Sequence, residues 1–173
     1  RAELKSDREL TQEDKKKAEE AINILFNLNF DLAPFYEEAE KDKVMTCLTQ
    51  KLRGLKSPTT QTGFEALVDS IVEQQISLQV ANGIEKKLIK KFGDALGLEG
   101  EVYYAYPTPQ KLAYASVEAL RQCGLSFRKA EYIKSVSTLV MEGKLDLEKL
   151  KNCDSTDKII RELDRVRGVG VWT

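Results

Sequence analysis

Three features of the sequence predict an all-α fold. Apolar residues recur at helical spacing through most of the chain. Capping side chains precede those runs, and no stretch alternates apolar with polar residues as a half-buried strand would. The composition suits a packed chain, with 42% hydrophobic and 32% charged residues among 173 and only four prolines. That balance excludes a disordered segment and leaves enough chain to bury a core.

The elements follow in order. Thr11 with Asp14 three residues later is a capping-box pattern, opening a helix whose stripe is Ala18, Ile22, Leu25 and Phe26. Pro34 suits the first turn of a short second helix, "PFYEEAEKD". A third runs through Val44, Cys47, Leu48 and Leu52 and stops at Gly54. The turn-rich "KSPTTQTG", Lys56 to Gly63, reads as a joint, dividing an N-terminal helical segment, 1–58, from a larger unit, 59–173.

Beyond the joint, Thr62 and Glu65 form a second capping-box pattern. Phe64, Leu67, Val68, Ile71 and Val72 then hold the i, i+3, i+4, i+7, i+8 spacing of one apolar helix face. Ser77 caps the next helix, with Ala81, Ile84, Leu88 and Phe92 inside and Gly93 at its end. "LEGEVYYAYPTPQ" reads as an irregular loop. Ser116 to Cys123 is a short helix closed by Gly124, and Ser126 starts a longer one through Ala130, Ile133, Val136 and Val140 to Gly143. A last helix, from about Thr156, is expected to bury Ile159, Ile160, Leu163 and Val166.

Absences narrow the chemistry. The chain has no histidine, which removes the commonest general base and metal ligand and any Ser-His or Cys-His dyad. Cys47, Cys123 and Cys153 fit neither a disulfide framework nor a zinc spacing, so a reducing, cytoplasmic setting is expected. No apolar run reaches membrane-spanning length and the first residues are charged, so no membrane partner is expected. The net charge of −1 advertises no polyanion partner. The sequence opens on Arg1 and closes just as a motif begins, which reads as the middle of a longer protein.

Two stretches carry chemistry. In "VRGVG" the glycines allow a tight reversal at positive φ, and a helix opening after it would point unpaired N–H groups outward, as an anion site. Equally, Gly168 caps the preceding helix and Val169 plugs the core. In "SIVEQQISLQVANGIEKKL", Gln75 extends the apolar stripe from Phe64 by eleven residues. It is either a satisfied buried amide or a probe reaching a ligand.

The "FEALVDSIVEQQIS" helix, the "CGLSFRKAEYI" helix start and the terminal "LDRVRGVGVWT" occur in that order. Together they resemble the helix-hairpin-helix DNA glycosylases, most closely the 3-methyladenine DNA glycosylase II branch that excises alkylated bases. The resemblance runs from about Thr11 to Thr173. It implies an all-α helix-hairpin-helix fold of two lobes with a cleft, the barrel ending in the hairpin and the other lobe built from the two chain ends. Double-stranded DNA carrying a damaged base is the implied partner, met by a monomer in the cytoplasm, at the nucleoid, or in a nucleus.

By the same resemblance, the backbone of Gly168, Val169 and Gly170 holds a phosphate, with Arg165 and Arg167 supplying local charge. A monovalent cation, Na⁺ or K⁺, sits on the Gly168 and Gly170 backbone, and no other cofactor is expected. Gln75 matches the side chain that wedges into the gap left by a flipped nucleotide. Trp172 stands where strand-nicking relatives keep a Schiff-base lysine and instead walls the base pocket, where an electron-poor alkylated base can stack on it. The family's catalytic aspartate lies beyond Thr173, and Asp164, before the hairpin, does not match it. Some relatives carry an iron–sulfur cluster after the hairpin, but none of the three cysteines has cluster spacing. The competing readings are a non-catalytic DNA-binding module, a glycosylase of the mismatch or oxidised-base branch, and a helical interaction domain in which the glycines are only a cap.

Overall fold

The computed structural model describes residues 3–170. The chain divides into two compact units that part between Gln61 and Thr62. The boundary falls three residues beyond the one expected from sequence, because Thr59 is tied back into the first unit. Its N–H donates to Leu25 O at 2.9 Å and its hydroxyl to Ile24 O at 2.6 Å.

The first unit holds α1 (Gln12–Leu25), α2 (Ala33–Ala39) and α3 (Lys43–Lys51). Thr11 and Asp14 form the full reciprocal capping box, and Asp42 caps α3 by accepting from the N–H groups of Val44 and Met45. Pro34 lies in the first turn of α2. Ala39 is the one buried residue among those described in this unit. The expected stripe on α1 is therefore not a core face: Ile22 and Leu25 are half-buried and Phe26 is 58% exposed.

The second unit has a well-formed core. It comprises α4 (Gly63–Glu73), α5 (Leu78–Phe92), β1 (Ala95–Leu98), β2 (Glu101–Tyr104), α6 (Pro109–Tyr114), α7 (Val117–Arg121), α8 (Phe127–Met141), α9 (Leu147–Lys151) and α10 (Thr156–Asp164). Thr62, Ser77, Ser116 and Ser126 each accept a bond from a first-turn N–H of the helix they precede. The whole α4 stripe, Phe64 to Val72, is buried against Ile84 and Leu88 of α5, Leu112 of α6, Leu120 of α7 and Ile133 and Val136 of α8. At about 25 cal/mol per Å² of apolar surface removed from water, this shared interior is what holds the unit together. Ser137, the buried polar residue of α8, donates to Ile133 O at 2.6 Å and so leaves no orphan hydroxyl.

Three expectations are corrected. "LEGEVYYAYPTPQ" is not wholly irregular, because β1 and β2 pair antiparallel, Leu98 opposite Glu101. Glu99 and Gly100 turn the hairpin with φ of 52° and 83°, the two left-handed residues that a type I′ turn requires. Every residue of β2 is exposed, so no face of it needed an apolar pattern. Helices α6 and α9 were not anticipated, being six and five residues long, too short to show a period. Ile160 is 46% exposed rather than buried, leaving Val166 as the fully buried residue of the terminal stripe. Among the described residues no helix is long and apolar enough to cross a membrane.

Candidate nucleic-acid interface

The candidate site is a cleft of about 870 Å³ in the second unit, where the end of α4, the start of α8 and the hairpin after α10 meet. Helix α4 delivers its last turn to the rim because its apolar face stays in the core as far as Val72. The chain then leaves the helix sharply. Gln74 is extended, with φ −50° and ψ 122°, and Gln75 turns left-handed at φ 56°. Glutamine in that region is uncommon, and such conformations persist where surrounding contacts impose them.

The contacts are visible. Lys129 on α8 donates from Nζ to Val72 O at 2.8 Å and to Gln74 O at 2.6 Å. These carbonyls lie at the carboxy-terminal end of α4, where a helix lacks its own donors and a cation is favourable. Gln74 Nε2 in turn donates to Gly168 O at 3.0 Å, tying the α4 exit to the hairpin. Partial burial pushes the Lys129 ammonium down from its ordinary range.

The hairpin is built around Gly168. Its φ is +89°, and a Cβ there would lie 2.2 Å from the ring of Tyr132 on α8. The glycine is required both by its backbone and by the ring pressed against it. Gly170 has neither constraint among the described residues: its φ is not left-handed and a Cβ would meet none of their atoms within 4 Å. The two glycines are therefore not equivalent, contrary to the symmetrical role read from the motif. Val169 is buried, and its N–H donates to Val166 O at 3.0 Å. That N–H is spent inside the turn, which trims the set of backbone donors the resemblance offers a phosphate.

Gln75 is exposed and lines the same cleft as Gly168, Val169 and Gly170. Arg128 and Lys129 bring positive charge to the lining and Glu73 brings negative. Arg167 is exposed and is not among the lining residues. Its guanidinium lies 5.9 Å from the centre of the Tyr132 ring and 4.0 Å from Glu131. Arg165 is paired with Glu162 at 3.0 Å. Trp172 lies outside the described residues. Among the described residues no three or more His, Cys, Asp or Glu side chains gather as metal ligands would. Gly168 O accepts from Gln74 and keeps a second lone pair, so the hairpin carbonyl remains competent to ligate a monovalent cation.

Sequence reasoning passed over Gln74, Lys129 and Tyr132 as site residues. "FRKAEY" falls within one of the three family-like stretches, but what Lys129 and Tyr132 touch is set by how α8 packs, which spacing along the chain does not encode.

A helical unit whose cleft is walled by a helix exit and a glycine hairpin defines the class. Residues 68–168 match the family described as HhH-GPD superfamily base excision DNA repair protein, and the chain belongs to that family. It is 32% identical over 160 residues to a DNA-3-methyladenine glycosylase of Bacillus subtilis, covering 91% of this chain and 52% of the relative. A probable N-glycosylase/DNA lyase of Methanothermobacter thermautotrophicus is 27% identical over 172 residues, covering 87% and 54%. The solved 3-methyladenine DNA-glycosylase of Archaeoglobus fulgidus superposes with a TM-score of 0.80 at 26% identity, over 94% of this chain and 54% of that one. The chain spans about half the length of these relatives.

Proposed function

We propose that this chain is the DNA-gripping part of a monofunctional DNA glycosylase acting in base excision repair on alkylated bases of the 3-methyladenine type. The observation that carries the reading is the shared cleft, in which an exposed Gln75 faces the same space as the Gly168 hairpin. One can fill the gap in a base stack while the other meets the backbone of the same duplex. That the Bacillus and Archaeoglobus relatives are 3-methyladenine DNA glycosylases supports the alkylated-base branch.

The protein acts as a monomer, and the cation, when bound to Gly168 O, adds positive charge beside the phosphate. The reaction breaks the C1′–N bond of the damaged nucleotide. The base leaves with the bonding electrons, water adds its oxygen to C1′, and the displaced proton goes to solvent. An alkylated purine is already an activated leaving group, so a site without histidine suffices. The carboxylate that stabilises the cationic sugar is assigned, by the family resemblance, to sequence beyond Thr173.

The lyase relative favours a second reading, strand cleavage through a Schiff base, and Trp172 separates the two because indole offers no amine. The test is alkylated duplex DNA given to the protein that contains this chain. Free base should appear with an intact strand that breaks only in alkali, and the 173-residue chain alone should bind without releasing base. A covalent adduct trapped by borohydride would overturn the monofunctional reading.

A further inference from the structure

We propose that Lys129 is a positioning residue of the cleft: its ammonium fixes the exit of α4, and through it the place of Gln75 relative to the Gly168 hairpin. The inference deepens the DNA reading above and rests on it for the role of Gln75. It requires no contact between Lys129 and DNA.

The geometry has three parts. Two of the donors on Lys129 Nζ are spent on Val72 O and Gln74 O, which bracket the last residue of α4. Between the second of these carbonyls and the Ser77 cap of α5 lie two residues, the left-handed Gln75 and Ile76. The side chain of Gln74 reaches the other wall, at Gly168 O. Lys129 and Tyr132 stand one turn apart on α8, so the helix that clamps the α4 exit also presses its ring against Gly168. Charged hydrogen bonds of this kind, shielded from water, are among the strongest that side chains make. A lysine facing phosphate would instead leave its ammonium in solvent. Here the ammonium is half-buried and engaged by two carbonyls.

The experiment compares the 173-residue chain with Lys129→Met, Lys129→Arg and Gln74→Leu. Without DNA, hydrogen exchange at Gln75, Ile76 and Ser77 should quicken about tenfold in Lys129→Met, the factor expected from losing charged hydrogen bonds, and recover in Lys129→Arg. Binding is then measured on one duplex with a central abasic site and on the same duplex intact. Lys129→Met and Gln74→Leu should each lose about tenfold of the preference for the abasic duplex while affinity for the intact one stays within twofold. The slope of log affinity against log salt should not change in Lys129→Met. Unchanged exchange at the turn overturns the proposal. So does a slope shallower by about one, which would make Lys129 a phosphate contact. If the unsubstituted chain fails to bind either duplex, the DNA reading falls, while the exchange measurement still decides whether Lys129 holds the turn.

Discussion

At Gly168 the backbone sits at φ +89° and an added Cβ would lie 2.2 Å from the Tyr132 ring, whereas a Cβ on Gly170 would meet none of the described residues within 4 Å. Gly168→Ala should therefore destabilise the chain by about 1–3 kcal/mol, the range for a strained left-handed residue, in thermal or urea unfolding. Gly170→Ala should leave stability within about 0.5 kcal/mol, as a change away from such features does. Any loss of duplex affinity in Gly170→Ala then reports on the approach of the phosphate and not on folding. A second residue-scale expectation concerns Asp69 on α4. It accepts a 2.7 Å bond from the Tyr106 phenol, but burial outweighs that bond and, helped by Glu65 and Glu73, raises its carboxyl from 3.8 to about 6. Burial, with Asp69 and Glu73 close by, likewise raises Glu85 on α5, and its Oε1 is sealed without a hydrogen-bond partner among the described residues. The folded chain thus holds the Asp69 proton more tightly than the unfolded chain. The residue costs nothing below pH 3.8, and its penalty grows as pH rises to about 6 and is complete above it. Asp69→Asn, which keeps an acceptor for Tyr106, should raise the unfolding midpoint at pH 7.5 and change it little at pH 4.

Among the elements, α1 depends on its own end. It buries no residue, so tertiary packing lends it little, and its capping box is correspondingly important. The Asp14 N–H donates to the Thr11 hydroxyl at 3.1 Å, and the Asp14 carboxylate accepts from the Thr11 N–H at 3.0 Å and from Arg8 at 2.9 Å. Thr11→Ala should speed amide exchange along α1 about fivefold while leaving α4 and α8 unchanged, since cap loss is a local event. The same locality explains what could be read in advance. Thr11, Thr62 and Ser77 cap helices where expected, and Ser116 and Ser126 cap the two helices expected to start at them, because a cap bonds an N–H two or three residues away. The α4 stripe was legible because one face is buried along its whole length. The β1–β2 hairpin was not, since β2 is exposed on both faces and no alternation marks it. The site was legible in half. Gln75 could be placed by counting from Phe64, but the bonds of Lys129 to Val72 O and Gln74 O join residues more than fifty positions apart.

For the whole molecule, a net charge of −1 allows only a weak general attraction to a polyanion. With Lys129 committed to carbonyls, Arg128 is the remaining cationic side chain among the described residues of the lining. Duplex affinity should consequently fall only shallowly with salt, and Arg128→Gln should flatten the log–log slope by about one, the value for a single phosphate contact. Titration by fluorescence anisotropy between low and moderate salt reads both quantities. The two walls of the cleft, moreover, answer to one helix. Lys129 and Tyr132 are three residues apart, a rise of about 4.5 Å along α8, and the same helix sinks Ala130, Ile133 and Val136 completely into the interior. The cleft behaves as a caliper whose jaws share a single beam. Its gape should therefore be set as the chain folds, and a cavity cut beneath α8 should shift both jaws together rather than loosen one.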